Sequence, residues 1–316
     1  MMHEDAQAFT FLGTTVYAYG LMVMLGLWLA IALLVFLTQN SPKERYAAAL
    51  TAVIAIPLGF VSARLMYALL DPNFQPLLTL TNVLDVTSGG LSMFGALLGA
   101  VLAALIAAKV SGVPGWRMLD LLSPALLIFL VPTRLGEGYT ALGVSRPLTT
   151  DWVASSFLAR QDDFDAYLRT YLLEAIIAAI LLMVILRYLH KKHRDGKAFA
   201  LFCLLFGITQ TLMESLRYDG HMRYSFIGVQ QVLAVTLFGV TLIVLAVRLL
   251  KHSSGKLLPI LGLAAVPFSV LAGVGVEFLI DRSEMGKIIS YSLYLLVLVI
   301  PAALGILMLK REDVHG

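Results

Sequence analysis

The sequence predicts an all-α polytopic membrane helix bundle, and this prediction rests on composition and on the pattern of hydropathy. Hydrophobic residues make up 59% of the 316 residues and charged residues 14%, and the mean hydropathy is +0.86. Soluble domains contain about 45–50% apolar and about 25% charged residues. Because this many apolar side chains cannot all be buried in one globular core, much of the surface must face lipid.

Nine apolar segments are close to the length of about 20 residues that a helix needs to cross the hydrocarbon. They run near 13–37, 48–70, 89–108, 118–133, 169–189, 198–216, 226–248, 257–279 and 288–309. The fourth and the sixth are predicted to be short or interrupted. The beginning of the chain lacks the basic region of a cleaved signal peptide, so the first segment is expected to be retained as a span.

Polar segments separate most of these spans. The segment at about 134–168 is too polar to cross a bilayer and is predicted to form a small extracytoplasmic cap. Lysine and arginine favour cytoplasmic loops. With the N-terminus outside, the inner loops hold fourteen of the 23 basic residues and the outer loops eight. This distribution predicts an N-out, C-in bundle.

Ionisable side chains at membrane depth are costly and therefore mark candidate functional sites. Three pairs of polar residues with i, i+3 spacing lie at the predicted outer ends of separate spans. These pairs are Arg64 and Tyr67, Arg134 and Glu137, and Glu214 and Arg217. A snorkelling arginine for the first pair and local ion pairs for the other two are the structural alternatives. Because guanidinium groups bind phosphate bidentately, three arginines at one leaflet favour a phospholipid head-group site.

A glycine-rich segment opens the third span. Gly89 and Gly90 precede Gly95 and Gly99, which have the GxxxG spacing of closely packed helices. Helix packing is the favoured interpretation, and backbone N–H groups exposed to a phosphate are the functional alternative.

Metal, cofactor and nucleic-acid chemistry have no sequence signal. The one cysteine, Cys203, excludes intrachain disulfides, and its position within a span favours a core role over a nucleophile. The sequence has no metal-ligand spacing, nucleotide-binding loop or serine-hydrolase elbow. We therefore expect no metal, no cofactor and no nucleic-acid partner.

From about residue 17 to residue 234, these motifs resemble, in order and in topology, those of bacterial prolipoprotein diacylglyceryl transferases. The matching segments are Tyr19-Gly20-Leu21, Ala63-Arg64-Leu65 with Tyr67, Gly89-Gly90-Leu91-Ser92 with Gly95, Leu119-Asp120 with Pro124, Arg134-Leu135-Gly136 and Arg146-Pro147. Further matching positions are Glu174, Gly196, Gly207, Glu214, Arg217 and Gln231. Positions at which the chain departs from the family pattern are Phe94, Glu137, Leu142, Ser145, Phe206 and Gln210.

The resemblance implies a membrane transferase that moves diacylglyceryl from phosphatidylglycerol to the lipobox cysteine of a lipoprotein precursor, releasing glycerol phosphate. It implies a multi-pass protein of the bacterial cytoplasmic (inner) membrane whose active site faces the outer leaflet, with membrane lipid and the precursor as partners. The family's usual seven-span body corresponds to residues 1–250, with its cap at about 134–168, and an additional C-terminal transmembrane pair lies at 251–316. The expected catalytic residues are Tyr19, Arg134, Glu137, Glu214 and Arg217. The expected substrate-binding residues are Arg64, Tyr67, Gly89, Gly90, Gly95, Gly136 and Arg146.

The chemistry of this transfer distributes the roles. The thiol must lose its proton, because the thiolate is the nucleophile. Arg134 and Arg217 are the candidates for stabilising the phosphate, with Arg64 as outer support, and Glu137 or Glu214 is the candidate base. The alternatives are a non-catalytic relative that binds phospholipid or lipoprotein and, from another functional class, a transporter.

Overall fold

The computed structural model describes residues 6–11, 14–85, 89–148, 151–191, 193–219, 222–252, 255–282 and 287–315. The helices in these ranges are α1 (Ala18–Leu37), α2 (Pro42–Leu70), α3 (Leu80–Leu84), α4 (Met93–Ser111), α5 (Gly115–Gly136), α6 (Asp151–Ala154), α7 (Thr170–Leu189), α8 (Lys197–Leu216), α9 (Val229–His252), α10 (Leu257–Arg282) and α11 (Lys287–His315). All except α3 and α6 are long and apolar enough to cross a membrane. The predicted all-α polytopic bundle is confirmed, and the chain is a multi-pass membrane protein.

The fourth and sixth spans are continuous, full-length helices. The fourth and sixth were expected to be short or interrupted, and this was wrong, since α5 contains 22 residues and α8 contains 20. Pro124 and Pro132 lie inside α5. Proline weakens an isolated helix, but α5 is largely buried and packs against α1, α7 and α4. Tertiary packing thus carries the helix through both prolines.

The second span begins earlier than its hydropathy indicates. Ser41 Oγ accepts a hydrogen bond from the backbone N–H of Glu44 at 3.3 Å, and Pro42 occupies the first helical position. Both features are typical of helix N-termini. The charged residues that follow Pro42 are therefore helical, although they are too polar to count as part of an apolar segment.

The glycines of the third predicted span lie at a helix–helix contact. A Cβ atom on Gly99 would lie 2.6 Å from Gly59 Cα, and one on Gly95 would lie 2.5 Å from the Ser62 carbonyl oxygen. Any larger residue would therefore push α4 away from α2. This is the close approach that GxxxG spacing provides.

Short antiparallel strands lie at one end of the bundle. They are β1 (Gln7–Phe11) with β2 (Thr14–Tyr17), a sheet ordered β3–β5–β4 from β3 (Val144–Pro147), β4 (Ala159–Gln161) and β5 (Ala166–Arg169), and β6 (Arg223–Tyr224) with β7 (Ile227–Gly228). The predicted cap at 134–168 contains the end of α5, α6 and the three-stranded sheet. Residues 14–17 form β2, although the first span was predicted to begin near residue 13.

At the other end of the bundle, a buried carboxylate joins α5 to the start of α8. Asp120, in the second turn of α5, accepts hydrogen bonds from the backbone N–H groups of Gly196 at 2.7 Å and Phe199 at 2.8 Å. These groups belong to the N-terminus of α8, whose first N–H groups have no partner within the helix. Asp120 thus caps α8 from a different helix.

Candidate active site

A buried cluster of charged side chains joins the ends of α5, α7 and α8. Its members are Arg134, Glu137, Glu174, Glu214, Arg217 and Asp219. None of these side chains is more than 7% exposed. We call this set the arginine–carboxylate cluster.

Arg134 lies in the last turn of α5 and contacts three different acceptors. Its Nη1 lies 2.5 Å from Glu137 Oε1, and its Nε lies 2.8 Å from Glu174 Oε2. Its Nη2 donates to the sulfur of Met93 at 2.9 Å. Two of its nitrogens therefore face carboxylates, and the third faces a thioether, which is a weak acceptor.

Arg217, directly after α8, shares two of these carboxylates. Its Nη1 lies 3.1 Å from Glu137 Oε2 and 3.0 Å from Glu174 Oε1. Its Nη2 lies 2.8 Å from Asp219 Oδ2, which also accepts the backbone N–H of Gly143 at 2.7 Å. Glu137 and Glu174 therefore bridge the two guanidinium groups, and Asp219 ties Arg217 to the cap.

The two candidate bases have different surroundings. Glu214 Oε1 accepts a hydrogen bond from Gln210 Nε2 at 3.0 Å, and the same amide lies 3.3 Å from Glu174 Oε2. Glu137 Oε2 is within ion-pair distance of Arg217, but among the described residues no donor is aligned to form a hydrogen bond with it. Within the described part of the chain, Glu137 Oε2 is thus held by an ion pair and not by an aligned hydrogen bond.

Tyr19 approaches the cluster through Gly136. A Cβ atom on Gly136 would lie 2.8 Å from Met22 Cβ and 3.2 Å from Tyr19 Cδ2. Because Gly136 has no side chain, α1 can pack against the end of α5. The half-buried Tyr19 ring therefore lies beside Gly136, the residue that precedes Glu137 in the sequence.

Arg64 contacts the connection between α2 and α4. All five of its N–H groups are directed at backbone carbonyl oxygens between α2 and α4. The acceptors are the carbonyl oxygens of Asn82, Val83, Asp85, Gly89 and Gly90. Gly90 has a φ of +77°, and a Cβ atom there would overlap the Tyr67 ring. Arg64 and Tyr67 thus hold the double-glycine segment, beside a cavity of about 300 Å³ that they help to line.

Arg146 contacts a different part of the molecule. Its Nη2 lies 2.7 Å from Asp281 Oδ1 in α10, and its guanidinium carbon lies 4.4 Å from the centre of the Tyr218 ring. Arg146 therefore joins the cap to the C-terminal pair, beside the residue that follows Arg217.

The chain can now be placed among known proteins. The family model for prolipoprotein diacylglyceryl transferase matches residues 6–247. The chain belongs to this family. The matched region contains every residue of the arginine–carboxylate cluster and ends before α10.

Among similar transferases, a phosphatidylglycerol–prolipoprotein diacylglyceryl transferase of Bacillus cereus is 28% identical over 250 residues, covering 74% of this chain and 88% of that relative. The protein of the same name from Bacillus velezensis is 25% identical over 260 residues, covering 77% and 91%. One from Lactobacillus acidophilus is 25% identical over 197 residues, covering 60% and 70%.

Two members of the cluster, Glu174 and Asp219, are not among the catalytic and binding residues expected from the sequence. Glu174 is a lone carboxylate inside the apolar segment 169–189, so the cost of burying a charge could have identified it. Asp219 lies outside an apolar segment, and its importance depends on the turn that brings it back to Arg217. Only the structure shows that contact.

The charges of the cluster limit its chemistry. Four carboxyl groups surround two guanidinium groups, and Arg134 Nη2 is the nitrogen that faces a weak acceptor, the Met93 sulfur. Among the described residues, no group of three or more histidine, cysteine, aspartate and glutamate side chains is arranged to hold a metal ion.

Proposed function

We propose that this family member transfers diacylglyceryl from phosphatidylglycerol to the thiol of a lipobox cysteine in a lipoprotein precursor. The observation that carries the proposal is the pair of buried arginines, Arg134 and Arg217, bridged by two carboxylates. The names of the relatives state the lipid donor and the prolipoprotein acceptor. A non-catalytic lipid-binding relative is the alternative that the experiments below address.

The phosphate of the lipid is proposed to bind between the two arginines. The bond between Arg134 Nη2 and the Met93 sulfur is the weakest contact of that guanidinium group. A phosphate oxygen is a far stronger acceptor for the same N–H groups. Phosphate would therefore displace the thioether, while Arg217 supplies the second donor.

In the transfer, the thiolate sulfur attacks the glycerol carbon that carries the phosphate. The carbon–sulfur bond forms as the carbon–oxygen bond breaks, and the phosphate leaves with the bonding electrons as glycerol phosphate. Arg134 and Arg217 stabilise the charge that develops on the leaving oxygen. The thiol proton passes to Glu137, whose Oε2 forms an ion pair with Arg217 but accepts no aligned hydrogen bond from the described residues, and Glu214 is the second candidate base.

The remaining expected residues lie beside the cluster, in the cap or at the connection between α2 and α4. Tyr19 and Gly136 form the wall beside Glu137, and Arg146 holds the base of the cap. Arg64 and Tyr67 shape the double-glycine segment of Gly89 and Gly90, and Gly95 sets the spacing of the helices below that segment. We assign this second group to substrate binding through the cavity that Arg64 lines.

The proposed orientation puts the arginine–carboxylate cluster and the cap on the outer side of the bacterial cytoplasmic membrane. The bias of lysine and arginine toward the opposite loops supports it. The base of the cap lies at the same end of the bundle as the cluster, because Gly143 donates to Asp219. Lipid would then reach the cluster from the outer leaflet.

The test is a transfer assay with purified protein in vesicles that contain phosphatidylglycerol. A lipobox peptide should gain the mass of one diacylglyceryl group through a thioether, and a peptide with serine in place of cysteine should not. Saturable phosphatidylglycerol binding without any transfer would instead identify the non-catalytic alternative. A lack of both binding and transfer would overturn the proposal.

A further inference from the structure

The C-terminal pair α10–α11 lies beyond the region matched by the family, yet it contacts the end of α8. Tyr291 in α11 donates its hydroxyl hydrogen to the carbonyl oxygen of Ser215 at 3.1 Å. The last four carbonyl groups of a helix have no partner within that helix. Tyr291 therefore provides a donor for the Ser215 carbonyl group, which has no partner within α8 and lies two residues before Arg217.

A second contact restrains the residue after Arg217. Asp281, at the end of α10, lies 2.7 Å from Arg146, which is placed over the ring of Tyr218. The backbone N–H of Tyr218 also donates to the Val144 carbonyl oxygen at 2.9 Å. Tyr218 is thus held by the cap on its backbone and by the Arg146–Asp281 pair on its side chain.

Three buried polar side chains hold α10–α11 against α9. Gln231 Nε2 in α9 lies 2.5 Å from Glu277 Oε1 in α10 and 2.8 Å from the Tyr294 hydroxyl in α11. Glu277 is 4% exposed and Tyr294 is 2% exposed. Burying such groups is costly unless they are hydrogen-bonded to one another, so they define one position of α10–α11 against α9.

We propose that α10–α11 positions Arg217 for the transfer reaction, with Tyr291 and Asp281 as the positioning residues. The pair acts through the end of α8, because it restrains Ser215 and Tyr218 on either side of Arg217. This inference rests on the proposed transferase function. It predicts that removing a single hydroxyl group in α11 changes catalysis in the cluster, although α11 provides no member of that cluster.

The test compares two variants that each lose one hydroxyl group from adjacent positions in α11. Tyr291→Phe removes the contact with Ser215. Ser292→Ala removes an exposed hydroxyl that donates to the Ile288 carbonyl oxygen of its own helix at 2.8 Å. With equal amounts of folded protein, Tyr291→Phe should lower kcat about three- to tenfold, the size expected for one neutral hydrogen bond. Ser292→Ala should match the parent.

A double variant separates positioning from a merely structural role. In an Arg217→Lys background, Tyr291→Phe should have little further effect, because the guanidinium group that it positions is gone. A loss by the same factor in both backgrounds would overturn the inference. So would a Tyr291→Phe rate equal to that of Ser292→Ala.

Amide hydrogen exchange provides a readout that does not depend on activity. Residues 216–219 should exchange faster in Tyr291→Phe than in Ser292→Ala, and equal exchange would overturn the inference. If the parent transfers nothing, the proposed function fails, and this exchange comparison decides by itself whether α10–α11 restrains the end of α8. If Arg217→Lys transfers too slowly to measure, the same comparison decides.

Discussion

Arg134 presents three nitrogens to three acceptors, and only two of those acceptors are carboxylates. Lysine at this position would keep the charge but lose the planar fork that reaches Glu137 and Glu174 together. Removing one partner of a buried ion pair typically costs about 3–5 kcal/mol. The geometry of this single side chain therefore serves both stability and the proposed chemistry.

We predict that Arg134→Lys lowers the rate of transfer by about one to two decades. A charge-assisted contact is worth about 1.5–3 kcal/mol, and this converts to that loss if the contact is made in the transition state. The measurement is kcat/KM for the lipobox peptide. Arg282→Lys is the control, since its side chain is 68% exposed. Equal rates for the two variants would show that the fork at Arg134 has no special role.

We predict that Glu137→Gln slows transfer by about two or more decades while phosphatidylglycerol binding is retained. The amide keeps the size of the side chain but cannot accept the thiol proton. Transfer rate and lipid affinity are measured side by side for Glu137→Gln and Glu214→Gln. A parent-like rate for Glu137→Gln would remove Glu137 as the base, and a large loss confined to Glu214→Gln would assign that role to Glu214.

The sequence identified Arg134, Glu137 and Arg217 because a charge in or beside an apolar span has few structural explanations. An ion pair between Arg134 and Glu137 was the structural alternative that the i, i+3 spacing left open, and the structure contains this pair. The sequence could not predict that Glu137 also reaches Arg217, at 3.1 Å. That contact depends on how α5 and α8 pack, and no local spacing encodes it.

At the scale of single elements, α8 depends on residues outside itself at both ends. Asp120 caps its first turn from α5, and Tyr291 satisfies one of its last carbonyl groups from α11. The sequence placed the span within two residues of its observed bounds. It could not supply either contact, because both partners are distant in sequence.

We predict that Asp120→Ala destabilises the protein, and that Asp120→Asn does so less. Losing a capping side chain typically costs about 0.5–2 kcal/mol, and asparagine keeps one acceptor oxygen for Gly196 or Phe199. The measurement is the thermal unfolding midpoint in detergent, with phosphatidylglycerol affinity measured on the folded fraction. The affinity should stay parental, since Asp120 lies at the end opposite the arginine–carboxylate cluster. Equal midpoints for Asp120→Ala and the parent would contradict the capping role.

At the scale of the whole molecule, the positions of the basic residues predict which end of the bundle faces outside. In a Cys203→Ala background, a membrane-impermeant thiol reagent should label Ser155→Cys in intact cells, because this residue is exposed in the cap. His190→Cys, exposed after α7 at the other end, should be labelled only after the membrane is opened. The reverse pattern would contradict both the orientation and an outer-leaflet site.

The contacts of Arg64 have a consequence for how this part of the chain can diverge. Arg64 donates its hydrogen bonds to carbonyl oxygens, which every amino acid carries, and the ring of Phe74 is the side chain of this connection that it also contacts. Mutations at Asn82 or Val83 can therefore accumulate without loss of its hydrogen bonds, as long as the backbone path is kept. Gly89 and Gly90 are the exceptions, because both have a positive φ and the ring of Tyr67 leaves no space for a side chain at Gly90. The side chains along this connection are therefore less constrained than the arginine whose five N–H groups hold its backbone.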